Sequence, residues 1–284
     1  MLRFFILVVF ALLEVAAAPA ITVSVTLAPY AKMVRKIAGD RVDVVTLVPA
    51  NANPHSFEPK PDALKKFASA SIYFSDGSGL DEAWRPRFFS VNPKVRVANL
   101  SEGISFISES EEHGHRHGDD HELDPHLWNS PRQVILVASN ICKVLSEADA
   151  ASAGFYRTNL ENFSRELSAL DVRFTEAVRS LPEERRTFIV FYPSYGYLAR
   201  DYGLKQIAVE MDGKEPKPQD LQRLIQTAKA NRAKIVFVQP QFSRRAAESL
   251  SREIGAKIVS IDPLAYDFDE NLLLFLKTLA GDGK

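Results

Sequence analysis

Residues 21–48 read ITVSVTLAPYAKMVRKIAGDRVDVVTLV, and this stretch decides the fold class. Apolar and polar residues alternate over Ile21–Thr26, which predicts a β-strand, and Asp43–Val48 is a second predicted strand. Between them, the apolar residues of Ala28–Ala38 recur at the spacing of a helix face. A strand, a helix and a strand in this order predict a parallel sheet with helices on its faces.

The second half of the chain repeats this plan. Predicted strands lie at 187–191, 207–211, 234–239 and 257–261, and predicted helices at 196–202, 219–231 and 246–254. The tetrapeptide Glu-Pro-Lys-Pro at 58–61 recurs at 215–218, and each copy precedes a predicted helix. We therefore predict an α/β protein with two related Rossmann-like lobes, each built on a parallel sheet.

A long helical segment separates the two halves. Residues 150–181 contain no proline and a single glycine, Gly154, while Ser130 and Pro131 predict the start of a preceding helix with Ser130 as its N-cap. The long segment has apolar residues at three- and four-residue steps: Leu160, Phe163, Leu167, Leu170, Phe174 and Val178. At full length it would reach about 45 Å, which suits a rigid strut joining two lobes. The alternative is a helical hairpin packed on one lobe.

The N-terminus has the features of a signal peptide. Arg3 is followed by the apolar run Phe4–Leu13 and by the small-residue sequence at 18–20, so we expect cleavage after Ala20. The only cysteine is Cys142, which lies in an apolar helical pattern and is predicted to be packed. No cysteine near the cleavage point offers a lipid-anchor site, so we expect a soluble periplasmic protein.

The domain boundaries and the composition complete this outline. We predict a signal peptide at 1–20, an N-terminal lobe at 21–149, a linking helix at 150–181 and a C-terminal lobe at 182–284. The chain is 46% apolar and 25% charged, as in globular proteins. Its formal net charge of -1 argues against a nucleic-acid partner, which needs an excess of basic residues. We expect a monomer.

The histidines are the most informative residues for function, because all six lie between positions 55 and 126. His55 and His126 each follow a proline in a predicted loop, and neutral imidazole is a common ligand for zinc and other transition metals. Asp262 follows a predicted strand, where parallel sheets place ligands. Each residue alone favours a surface or hydrogen-bonded histidine or a turn cap, whereas the two histidines together are equally consistent with a metal site.

Four further histidines form a separate cluster. His113, His115, His117 and His121 lie in the loop 109–123 among acidic and glycine residues. Such a tract has almost no apolar residues to bury, so it is predicted to be a loop that samples metal weakly. A solvated charged loop without a metal role is the alternative.

Several motifs together indicate a family. They are Pro54-His55, Gly77-Ser78-Gly79-Leu80-Asp81, Asp124-Pro125-His126-Leu127-Trp128, the run from Tyr195 to Leu204, and Ile261-Asp262-Pro263-Leu264. Over nearly all of its mature length, the chain resembles the zinc- and manganese-binding solute-binding proteins of bacterial ABC importers. The resemblance implies two α/β lobes joined by one long helix, with a divalent metal in the interlobe cleft and an importer permease as partner.

The resemblance also implies a ligand set. The family's ligands are typically two histidines of the N-terminal lobe, a histidine or glutamate of the C-terminal lobe and a late aspartate. His55, His126 and Asp262 match three of these positions, whereas the fourth is Tyr192. A phenol must lose a proton with a pKa near 10 to become a good ligand, so a water or a weak Tyr192 contact is expected to complete the site.

The metal and the reaction class remain open from the sequence. Two imidazoles favour Zn²⁺, whereas more oxygen ligands, such as Glu210 or Glu215, would favour Mn²⁺ or Fe²⁺. An open site of two histidines and one aspartate would also suit a zinc hydrolase, but no motif supplies a general base. A lobe pair that has lost its metal and binds a protein partner is the other alternative. We predict a metal carrier and not an enzyme.

Overall fold

The computed structural model describes residues 21–49, 52–54, 57–77, 79–107, 123–209, 217–241 and 244–281. Several predictions fall outside these ranges. They are the signal peptide at 1–20, the ligand His55, the four histidines of the loop 109–123, and the alternative ligands Glu210 and Glu215.

Two four-stranded parallel sheets form the framework. The first contains β1 Ile21–Val25, β2 Val42–Thr46, β3 Ile72–Ser75 and β4 Arg96–Asn99, in the spatial order β2-β1-β3-β4. The second contains β5 Thr187–Val190, β6 Lys205–Ala208, β7 Ile235–Val238 and β8 Lys257–Ser260, in the order β6-β5-β7-β8. All pairings are parallel, and both sheets have the same topology, which confirms the predicted repeat of one plan.

The helices cover the sheets and connect the two halves. In the described part of the chain they are α1 Ala28–Ala38, α2 Pro61–Phe67, α3 Gly79–Val91, α4 Pro131–Ala148, α5 Ala153–Ser180, α6 Gly196–Tyr202, α7 Pro218–Ala230, α8 Arg245–Ile254 and α9 Phe268–Ala280. Most predicted bounds lie within two residues of the observed ones, but α3 and α9 were not predicted.

Helix α5 is the long helix expected from the sequence. Its 28 residues extend about 42 Å. The predicted stripe is buried at Phe163, Leu167, Leu170, Phe174 and Val178. The helix packs against α1 and α4 of the first half and against α6 and α9 of the second. It therefore forms a hairpin with α4 and also contacts both halves. The structure combines the two alternatives, the helical hairpin and the strut between lobes.

The two halves meet in a continuous apolar core. One buried cluster contains residues of both, including Trp128 and Phe275. Cys142 is a buried free thiol of α4, as predicted. None of the described helices has the length and apolar character needed to cross a bilayer.

Candidate metal centre

Three polar residues follow strands of the second sheet, and two of them, Tyr192 and Asp262, were predicted for the metal site. Tyr192 lies two residues after β5, Gln241 three residues after β7 and Asp262 two residues after β8. The carboxyl ends of parallel strands share one edge of the sheet, and the strand order reverses between β5 and β7. This edge is where open α/β sheets bind ligands.

His126 is buried and its ring is fixed by a carboxylate. Oδ1 of Asp124 lies 2.7 Å from Nδ1 of His126 and accepts the backbone N–H of the same residue at 2.8 Å. Both residues are only 4% exposed. A carboxylate accepts but does not donate, so Nδ1 carries the proton and Nε2 is the nitrogen with a lone pair for a metal.

Asp124 is itself anchored through its backbone. Its carbonyl accepts the hydroxyl of Tyr197 at 2.7 Å, and its N–H donates to the carbonyl of Ile107 at 2.9 Å. This support restricts the rotation of the carboxylate and, through it, of the His126 ring.

The ring of Tyr192 packs directly against His126. The two ring centroids are 5.5 Å apart at an interplanar angle of 69°. His126 precedes α4 and Tyr192 follows β5, so this contact joins the two halves. The structure therefore brings together two of the residues predicted for the site.

Asp262 is connected to the same region through its neighbour in sequence. The indole N–H of Trp128 donates to the carbonyl of Pro263 at 2.6 Å, and the Trp128 and His126 ring centroids are 5.2 Å apart. Oδ1 of Asp262 accepts hydrogen bonds from the Gln241 side-chain amide at 2.7 Å and from the N–H of Leu264 at 3.0 Å.

The backbone of Tyr192 is held by one buried amide. Oε1 of Gln239 accepts the N–H of Tyr192 at 3.0 Å, and Nε2 of Gln239 donates to its carbonyl at 2.7 Å. Two bonds from one side chain fix the peptide on both sides of the residue. The position of Tyr192 is thus set by β7 as well as β5.

Burial keeps the phenols of Tyr30 and Tyr195 neutral. Burial, followed by the carboxylates of Asp76 and Asp81, raises the pKa of Tyr30 well above its ordinary value. Burial also raises the pKa of Tyr195, against the effect of a hydrogen bond from Asn271, and the charge of Asp262 raises it further. These phenols therefore add no negative charge to the site.

The described residues alone do not form a complete candidate metal centre. No group of three His, Cys, Asp or Glu side chains that could hold a metal ion occurs within them. His126, Tyr192 and Asp262 are described, whereas His55 is not. Asp124 was not predicted as the partner of His126, although an aspartate two residues before a predicted ligand was the signal available.

The family described as zinc-uptake complex component A, periplasmic, matches residues 23–279. The chain belongs to this family. Its members are uptake components, which confirms the prediction that the protein is not an enzyme and removes the zinc-hydrolase alternative.

The names of individual relatives refer to different metals. The zinc-binding lipoprotein AdcA of Streptococcus pneumoniae is 28% identical over 248 residues, 84% of this chain and 49% of AdcA. This chain thus spans about half the length of that relative. The iron-binding protein YfeA of Yersinia pestis is 29% identical over 81% of this chain and 74% of YfeA.

A solved structure confirms the fold. A crystal structure of ZnuA matches with a TM-score of 0.85 and 36% sequence identity, over 93% of this chain and 100% of that chain. The two-lobe α/β architecture predicted from the sequence is therefore the architecture of this family.

Proposed function

We propose that the protein binds one divalent transition metal, zinc in the first place, between its two lobes and delivers it to the membrane permease of an ABC importer. The observation that carries this proposal is the buried pair of Asp124 and His126. A histidine whose Nδ1–H is held by a carboxylate presents Nε2 as a ligand, which is the usual arrangement at metal sites.

His55, His126 and Asp262 are the proposed metal ligands. His126 is supported by the contact of its Nδ1 with Asp124 and by its burial at the contact between the two halves. Asp262 is supported by its place after β8, and His55 by its motif alone. The combination supplies two nitrogen ligands and one oxygen ligand, which zinc accepts with a fourth position open.

Tyr192 is proposed as the neighbour of this fourth position and not as a strong ligand. Its ring lies against His126, so a substitution at 192 acts on the site directly. A water molecule or a weak phenol contact would complete the coordination. This departure from the family's histidine or glutamate is the reason to compare zinc with manganese and iron in every assay.

Zinc is proposed first because the family is one of zinc-uptake components and because two imidazoles suit zinc. The iron-binding relative keeps Fe²⁺ among the alternatives. We further propose that a monomer acts in the periplasm after cleavage of the signal peptide at 1–20. The four histidines of the loop 109–123 are proposed to collect metal weakly.

Zinc titration of metal-stripped mature protein tests the proposal. We expect one high-affinity site in the wild type and none in the double variant His55→Ala, His126→Ala. Elemental analysis of protein purified from the periplasm without added metal identifies the native cargo. Wild-type protein without high-affinity binding of Zn²⁺, Mn²⁺ or Fe²⁺ would support the lobe pair that binds a protein partner.

A further inference from the structure

The two carboxylate oxygens of Asp262 are in different environments. Oδ1 accepts two hydrogen bonds, from Nε2 of Gln241 at 2.7 Å and from the N–H of Leu264 at 3.0 Å. The backbone N–H of Asp262 donates to Oδ1 of Asn271 at 3.1 Å, which fixes the residue from α9. Both bonds to the side chain are therefore made to Oδ1 and not to Oδ2.

The amide of Gln241 has only one favourable orientation. Its NH₂ group must face Asp262, because a carboxylate has no proton to donate to an amide oxygen. Oε1 of Gln241 is then buried without a hydrogen-bond partner among the described residues. An unpaired buried acceptor is destabilising, because it has lost its hydrogen bonds to water. The side chain of Gln241 is therefore oriented by its bond to Asp262 and not by its own buried oxygen.

With Asp262 as a metal ligand, as the proposed function has it, the two hydrogen bonds to Oδ1 limit how the carboxylate can coordinate the metal. A carboxylate that binds through both oxygens raises the coordination number of the metal. Zinc sites are commonly four-coordinate, whereas manganese favours six oxygen-rich positions. We propose that Gln241 restricts Asp262 to a single ligating oxygen and thereby favours zinc over manganese.

The variant Gln241→Leu tests this role. It removes the donor, keeps a side chain of similar shape and adds no ligand atom. We expect the ratio of the manganese Kd to the zinc Kd to fall about tenfold, because Oδ1 then accepts only the N–H of Leu264 and gains a lone pair for the metal. Outer hydrogen bonds typically change metal affinity by about 10–100-fold. Competition titrations with both metals on metal-stripped protein give this ratio.

A matched control exists in the same chain. Nε2 of the buried Gln133 donates to Oδ2 of the partly buried Asp201 at 2.8 Å, a bond of the same kind to a carboxylate outside the proposed ligand set. Gln133→Leu should leave the ratio of the two dissociation constants unchanged. Circular dichroism verifies the folding of both variants, and Gln241→Asn, whose shorter amide falls short of Asp262, replaces Gln241→Leu if that variant does not fold.

Cobalt substitution provides a second readout, since tetrahedral Co²⁺ absorbs visible light far more strongly than five- or six-coordinate Co²⁺. We expect a strong spectrum for the wild type and a weaker one for Gln241→Leu. If the wild type binds zinc but the variant retains both the ratio of the two dissociation constants and the cobalt spectrum, the role proposed for Gln241 is wrong. The proposed function of the protein then stands. Wild-type protein that binds no metal overturns both.

Discussion

At the scale of single residues, the bond between Asp124 and His126 gives the clearest prediction. Replacing Asp124 by Ala frees the His126 ring to rotate and to adopt the other tautomer. We expect zinc affinity to fall about 10–100-fold, as for other carboxylates that orient a metal-binding histidine. Titration against a zinc chelator measures the change.

The conservative variant separates this role from a general structural one. Asp124→Asn keeps an oxygen that accepts from Nδ1, so it should retain more affinity than Asp124→Ala. Equal affinities for both variants and the wild type, with folding intact, would remove Asp124 from the proposed site.

A second residue-scale prediction concerns Tyr192. We expect Tyr192→His to tighten zinc binding, because a neutral imidazole offers a lone pair at pH 7. A phenol with an ordinary pKa must first be deprotonated, at about 4 kcal/mol. The charge of the metal offsets part of this cost, so the gain is smaller. Competition titration tests the variant, and equal or weaker binding would show that another group already fills the fourth position.

The sequence identified some of these residues and missed others for a physical reason. His126 and Asp262 were predicted because their residue types and motifs carry metal chemistry directly. Gln239 and Gln241 were not predicted, since a glutamine acquires its role only from what it contacts after folding. Residues that hold ligands in place are therefore visible mainly in the structure.

At the scale of secondary structure elements, the junction between α4 and α5 depends on Asp149. Its Oδ1 accepts the N–H of Ser152 at 3.1 Å and its Oδ2 accepts the hydroxyl of Tyr156 at 2.9 Å. The hydrogen bond from the Ser152 side chain is the largest effect that lowers the pKa of Asp149, and Tyr156 and the charge of Arg41 add to it.

We expect Asp149→Ala to reduce the free energy of unfolding by about 0.5–2 kcal/mol at neutral pH, as for other lost helix caps. The folded-state pKa of Asp149 is lowered, so its contribution is complete above the unfolded value near 4 and is lost as the pH falls through the folded value. Urea unfolding at pH 7 and pH 3.5 should show a difference from the wild type that narrows at the lower pH. A difference of the same size at both pH values would contradict this.

The element bounds show where local patterns are sufficient. Helix α5 was predicted at 150–181 and lies at Ala153–Ser180, because a long apolar stripe is a strong signal. Strand β6 was placed at 207–211 but lies at Lys205–Ala208, since pairing of Lys205 with Thr187 of β5 sets its start. Ser130 precedes α4 as predicted, but its hydroxyl donates to Asp201 instead of capping the helix. Tertiary contacts decided both differences.

At the scale of the whole molecule, the two lobes are joined by charge as well as by the shared core. Nζ of Lys32, on α1, lies 2.8 Å from Oδ1 of Asp267 and 2.6 Å from Oδ1 of Asp269, both at the start of α9. Desolvation lowers the pKa of Lys32, but its bonds to the two aspartates raise it by more, so it stays charged. The acidic groups also suit the positive end of the α9 helix dipole.

We expect Lys32→Ala to destabilise the protein by about 1.5–3 kcal/mol, since the lysine side chain is only 12% exposed and bonds two carboxylates. The melting temperature should fall by several degrees.

Lys36 is the matched control. It lies one turn further along α1, and its side chain is 34% exposed and pairs with Glu166 at 2.6 Å. Exposed pairs contribute at most about 1 kcal/mol, so Lys36→Ala should change the melting temperature much less. Calorimetry of both variants in metal-free buffer makes the comparison. Equal shifts would mean that the contact between α1 and α9 adds no more to stability than an ordinary surface pair.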